Sequence, residues 1–109
     1  MDPVISRLFI KKKQLNMKIQ VLDFYADWCG PCRAMSPSIE ALMEMYNTQD
    51  SDVEIKKVNV DKEPDLTSKY GIRSIPTLVF VKDGTETDRL NGAVPKEKIL
   101  QKINEAAAA

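Results

Sequence analysis

The sequence has no histidine and only two cysteines, Cys29 and Cys32, in 109 residues. A structural zinc site takes four ligands, usually cysteine and histidine. Within one chain, carboxylates would have to complete such a site, so no metal is expected. Four thiolates shared between two copies remain the alternative. Net charge is also lacking, because sixteen basic and sixteen acidic side chains cancel. Nothing in that balance points to nucleic acid or to an anionic membrane surface. The Lys11-Lys12-Lys13 run is short and reads as a solvated arm. No segment approaches the roughly 20 apolar residues that a membrane span needs. Residues 4–10 are apolar but are interrupted by Arg7, and their lysines follow rather than precede them. That is the wrong order for an export signal. A cytoplasmic location is therefore expected, where thiols are kept reduced. A permanent staple between Cys29 and Cys32 would also close too small a loop to stabilise much.

What is present is an ordinary globular balance, 43% hydrophobic and 29% charged, in a length that suits one domain. Residues 1–16 read as an N-terminal segment, and residues 17–109 as the domain proper. Asp2-Pro3 looks like a helix start over residues 3–14, although Val4, Ile5, Leu8 and Phe9 equally suit an edge strand. Residues 18–26 carry apolar side chains on both faces, as a central strand covered by helices does. A helix is expected over 32–47 from the spacing of Met35, Ile39, Leu42, Met43 and Tyr46, with a kink at Pro37. A second two-sided strand follows at 53–60, a short helix at 63–70 ended by Gly71, and a third strand at 77–82. Asp83-Gly84 signals a hairpin into a more polar outer strand at 85–90. Pro95 opens a last helix. The two strands separated by a helix should be parallel and the hairpin strands antiparallel. The expected fold class is α/β: a mixed four-stranded sheet with helices on both faces.

The chemistry concentrates in DFYADWCGPCRAM. Cys29 falls where a strand gives way to a helix. Free N–H groups and the helix dipole there favour an anion, and the thiolate is the reactive form of cysteine. Gly30 and Pro31 hold the turn, and Cys32 lies within reach of a mixed disulfide on Cys29. Cys29 would then attack a disulfide in another protein and Cys32 would resolve the intermediate. Asp23 interrupts an apolar strand. It is either a strand-end carboxylate facing water or a buried acid that can exchange a proton with Cys32. Lys57 interrupts the neighbouring strand in the same way and is placed to pair with it.

The segments DFYADWCGPCRAMSP, VNVDKEPDLTSKYGIRSIPTLVFVKDG and LNGAVPKEKI resemble the thioredoxin family over most of the chain, from about Lys18 to near Ala106. The resemblance implies the thioredoxin fold and a protein-disulfide reductase without a cofactor. It makes Cys29 the exposed nucleophile, Cys32 the resolving thiol, Asp23 the buried aspartate and Lys57 its lysine neighbour. Trp28 matches the tryptophan beside the site, for which core packing is the bland alternative. Pro76 matches the family's cis-proline, which otherwise reads as a trans proline at a strand start. Backbone near Ile75 would pair with an extended substrate segment. Gly71 and Gly92 match family glycines near that surface.

Two departures stand out. Tyr25 replaces a frequent tryptophan, which should alter packing more than chemistry. Residues 1–16 hardly hold both the strand and the helix that normally precede the central strand. The implied partners are disulfide-containing proteins and a thioredoxin reductase, NADPH- or ferredoxin-dependent, acting on a monomer. An oxidase or isomerase of the same fold and a protein-binding module with incidental thiols are the competing readings. A glutathione-linked glutaredoxin fits less well, because no basic cluster is evident to cradle glutathione.

Overall fold

The computed structural model describes residues 18–108. The expectations placed on residues 1–16, including the helix or edge strand and the lysine run, lie outside the described residues. Four strands, β1 (Ile19–Tyr25), β2 (Val53–Asn59), β3 (Thr77–Lys82) and β4 (Thr85–Asn91), alternate with three helices. The helices are α1 (Gly30–Tyr46), α2 (Pro64–Lys69) and α3 (Lys96–Ala108). The sheet order is β2-β1-β3-β4. β1 and β2 are parallel, and the other two pairings are antiparallel. This is the mixed sheet that the sequence pattern predicts.

β1 lies inside the sheet because both of its faces are apolar. Val21 packs with Met35, Ile39 and Leu42 of α1 and with Ile99 and Ile103 of α3. Leu22 and Phe24 point to the other face, where Leu66 of α2, Tyr70 and Ile72 close over them. Each such side chain contributes about 1.5–3 kcal/mol when fully buried. β1, like β3, has a partner strand on each side and a core on each face. The residues that matter chemically sit on it and just beyond its end.

α1 begins at Gly30, two residues before the expected start near Cys32. The reason lies in the cap. Cys29 has extended backbone (φ −87°, ψ 110°), and its sulfur accepts the Cys32 N–H at 3.2 Å. Pro31 fits the first turn, where no N–H is needed. The helix then runs unbroken through Pro37. At its far end Asn47 donates to the Ile55 carbonyl at 2.8 Å and accepts the Ile55 N–H at 2.7 Å.

The hairpin turn is as expected. Asp83 and Gly84 both adopt positive φ, 51° and 86°, as a tight two-residue turn between twisted strands requires. Past it, Phe80 opposes Asp88 while Val81 opposes Glu86, so Thr87 bulges from β4. Nothing in the sequence marked that bulge.

Candidate active site

β1 delivers the chain directly to the site. After Tyr25 the backbone turns, closed by the Cys29 N–H on the Ala26 carbonyl at 3.1 Å, and α1 begins. Cys29 is therefore the residue that caps a helix, and Cys32 lies one turn inside it. The two are joined as a disulfide. Ala26 packs with the pair, and Tyr25, Val60 and Ile75 lie against them.

The expected contrast in exposure between the two sulfurs is not what the oxidised pair shows. Cys29 is 5% and Cys32 6% exposed. In the disulfide each sulfur covers the other, and Ile75 and Val60 cover both. What separates them is direction. Cys29 Sγ sits at the helix cap. Cys32 lines a recess of about 500 Å³ together with Asp23, Tyr25, Ser36 and Lys57. The recess is polar and roomy enough for water to link Asp23 to Cys32.

Asp23 is buried, and its Oδ1 has no hydrogen-bond partner. Burial in low dielectric raises its pKa from 3.8 to about 6, with the nearby Lys57 charge pulling the other way. Of the two sequence readings, a water-facing strand-end carboxylate is thus excluded. Lys57 stands across the β1–β2 ladder in register with Asp23. The expected direct pairing is not formed. The ammonium donates to Ser36 Oγ at 3.4 Å and lies over the Tyr25 ring, 4.7 Å from its centroid. Lys57 acts on Asp23 through space.

On the other side of the disulfide, Trp28 is 68% exposed, which rules out core packing. Its indole N–H donates to Asp61 Oδ2 at 2.9 Å. Trp28, Val60, Ile72 and Ile75 frame a shallow, mostly apolar groove of about 180 Å³. The Ile75–Pro76 peptide is cis. Its loop is fastened by the Gly92 N–H on the Pro76 carbonyl at 2.8 Å, and by Thr77 Oγ1 on the Ser74 carbonyl at 2.7 Å. Gly92 adopts φ 89° to make that approach, a conformation that favours glycine. Gly30 and Pro31 are exposed in the first turn of α1.

Sequence reasoning missed Ser36 and Asp61. Ser36 lies four residues after Cys32, hence on the same helix face, and that spacing would have revealed it. Asp61 is joined to Trp28 only by the fold.

The thioredoxin family model matches residues 7–105. The chain belongs to the thioredoxin family. It is 44% identical to thioredoxin 1 of Synechococcus elongatus over 95 residues, 86% of each chain. It is 43% identical over 83 residues to the chloroplastic M-type thioredoxin of Pisum sativum, covering 76% of this chain and 46% of that one. The X-ray structure of Fasciola hepatica thioredoxin superposes with a TM-score of 0.74 at 36% identity, covering 94% of this chain and 93% of that one. Thioredoxins are protein-disulfide reductases, and Cys29–Cys32 is the pair through which this chain exchanges dithiol for disulfide. No helix among the described residues is long and apolar enough to cross a membrane.

Proposed function

We propose that within this exchange Cys29 attacks, Cys32 resolves and Asp23 moves the proton. Cys29 Sγ already accepts an N–H at the helix cap, and that contact favours the thiolate in the reduced protein. The thiolate forms a bond to one sulfur of the substrate disulfide, whose S–S bond breaks and releases one substrate thiolate. Cys32 then loses its proton through water to Asp23 and attacks Cys29. The mixed disulfide breaks, the second substrate thiolate leaves, and the Cys29–Cys32 bond forms. Two electrons have passed from the dithiol to the substrate. Asp23 returns its proton to solvent or to the leaving thiolate. The observation that carries this assignment is the asymmetry of the pair: Cys29 at the cap, Cys32 on the Asp23 recess.

Docking would use the groove beside the disulfide. The Trp28 face, the exposed Gly30-Pro31 turn and the backbone at Ile75 suit an extended apolar segment laid alongside the loop, as in strand addition. Pro76 and Gly92 hold that backbone in place. The oxidised pair is then recharged by a thioredoxin reductase, NADPH- or ferredoxin-dependent, and the carrier works as a cytoplasmic monomer. The family relationship supports a reductase partner. Among the described residues Trp28 and Met45 are the exposed large hydrophobics, a surface that suits a monomer.

Reduced Cys32→Ser, challenged with a disulfide-containing substrate, should accumulate a stable mixed disulfide on Cys29, seen by mass spectrometry. Cys29→Ser should give no adduct at all. Normal insulin turnover by Cys32→Ser would overturn the assignment of roles. The reduction potential of the pair checks direction: a value at or below the cytosolic glutathione poise fits a reductant.

A further inference from the structure

Lys57 is held by two groups that the exchange itself does not use. Its ammonium lies 4.7 Å from the centroid of the Tyr25 ring, inside the ~6 Å range over which a ring face attracts a cation. It also donates to Ser36 Oγ at 3.4 Å. The two holders come from different elements, Tyr25 from the end of β1 and Ser36 from α1. Asp23 stands directly across the ladder from Lys57, yet its buried Oδ1 is unpartnered. A carboxylate and an ammonium at neighbouring register positions would ordinarily close a charge-assisted hydrogen bond. Here the ammonium is turned toward the ring and the hydroxyl instead.

We propose that Tyr25 and Ser36 are positioning residues that hold the Lys57 ammonium off the Asp23 carboxyl and so keep Asp23 able to take the proton of Cys32. The inference rests on the proton-relay reading of Asp23. An opposite charge brought within about 4–6 Å lowers a carboxyl pKa by roughly one to three units. A salt-bridged Asp23 would be a permanent anion and a poor proton acceptor. With the ammonium held aside, desolvation outweighs the attraction, and Asp23 titrates at about 6, close to the working range of a general base. The remaining groups around the recess leave this balance to Lys57. Cys32 faces it from α1. Arg33 is on its rim with its guanidinium donated to the Asp27 carbonyl at 2.9 Å, and the exposed Asp27 side chain borders the opening. Lys57 is the charge that acts on Asp23. On this proposal the tyrosine at position 25 bears on the chemistry, where its replacement of tryptophan was expected to alter packing more than chemistry.

The test is a carboxyl-carbon NMR titration of Asp23 in the intact oxidised chain and in Ser36→Ala, Tyr25→Leu, Tyr25→Phe and the Ser36→Ala/Tyr25→Leu double variant. Freed from ring and hydroxyl, the ammonium should turn to the unpartnered Oδ1. The Asp23 midpoint should then fall by about one unit in the double variant, roughly tenfold in its ionisation constant. A smaller fall is expected in Ser36→Ala, a conservative change on an intact helix. Tyr25→Phe keeps the ring face and should titrate as the parent does. A midpoint that stays or rises in both Ser36→Ala and the double variant overturns the positioning role. The pH profile of insulin reduction separates the two readings: a lowered midpoint with an unmoved rate profile supports the positioning and overturns the relay.

Discussion

A buried carboxyl that binds its proton more tightly in the folded chain than in the unfolded one makes stability depend on pH. Asp23 titrates at about 6 when folded and near 3.8 otherwise. Between these values the folded state holds more protons, so unfolding free energy falls as pH rises. The contribution is fully present below about pH 4 and lost through about pH 6. The total is about 3 kcal/mol, two units at about 1.4 kcal/mol each. Asp23→Asn should remove this slope and make the oxidised protein more stable than the parent above pH 7, by up to that amount, with no gain at pH 4. Urea unfolding across the pH range measures it. Asp23 was legible as an anomaly because a lone acid broke a two-sided apolar strand. Lys57 was legible in the same way. The contact each makes was not, since the ring and hydroxyl that take the ammonium come from positions 25 and 36, and no strand or helix period links those to 57.

The helix that presents the cysteines is fixed at both ends by side chains. At its start the cap is a cysteine sulfur, where oxygen-bearing residues are usual. That is why apolar spacing alone put the first turn two residues late. At its end Asn47 binds both backbone groups of Ile55, tying α1 to β2. Asn47→Ala removes both bonds and leaves a buried residue's N–H and C=O to find other partners. The expected cost is about 1–3 kcal/mol, read as a lower urea midpoint with an unchanged slope. Insulin reduction by the folded variant should persist, since the site lies at the opposite end of the helix. Strand existence and direction followed from the sequence because two-sided apolar runs and the Asp83-Gly84 turn are strong local signals. The bulge at Thr87 did not, because it depends on how β4 meets β3 rather than on any residue of its own.

The molecule as a whole is a sheet with a core on each face. Crossover and hairpin rules gave the parallel β1–β2 and antiparallel β3–β4 directions from the sequence, while the antiparallel seam between β1 and β3 that sets the order came only with the fold. Phe80 of β3 lies in the larger core with side chains from α1 and α3. Phe80→Ala should cost about 3–5 kcal/mol, a large share of the roughly 5–15 kcal/mol that holds a domain together. Calorimetry should show one transition shifted downward, since α1, α3 and the sheet share that core. What the sequence could not supply at this scale was convergence. Asp61, Ile75 and Gly92 are remote in the chain from Cys29; the family resemblance placed Ile75 and Gly92 near the site, whereas Asp61 is joined to it through Trp28 only by the fold.

The exposed indole at the rim has a practical consequence. Trp28 is the sole tryptophan of the chain, so nearly all long-wavelength ultraviolet emission originates one residue from Cys29. A polypeptide arriving at the sulfur must cover that ring and displace its water. Spectral blue-shift on capture should therefore count docking events in real time, without any label being attached.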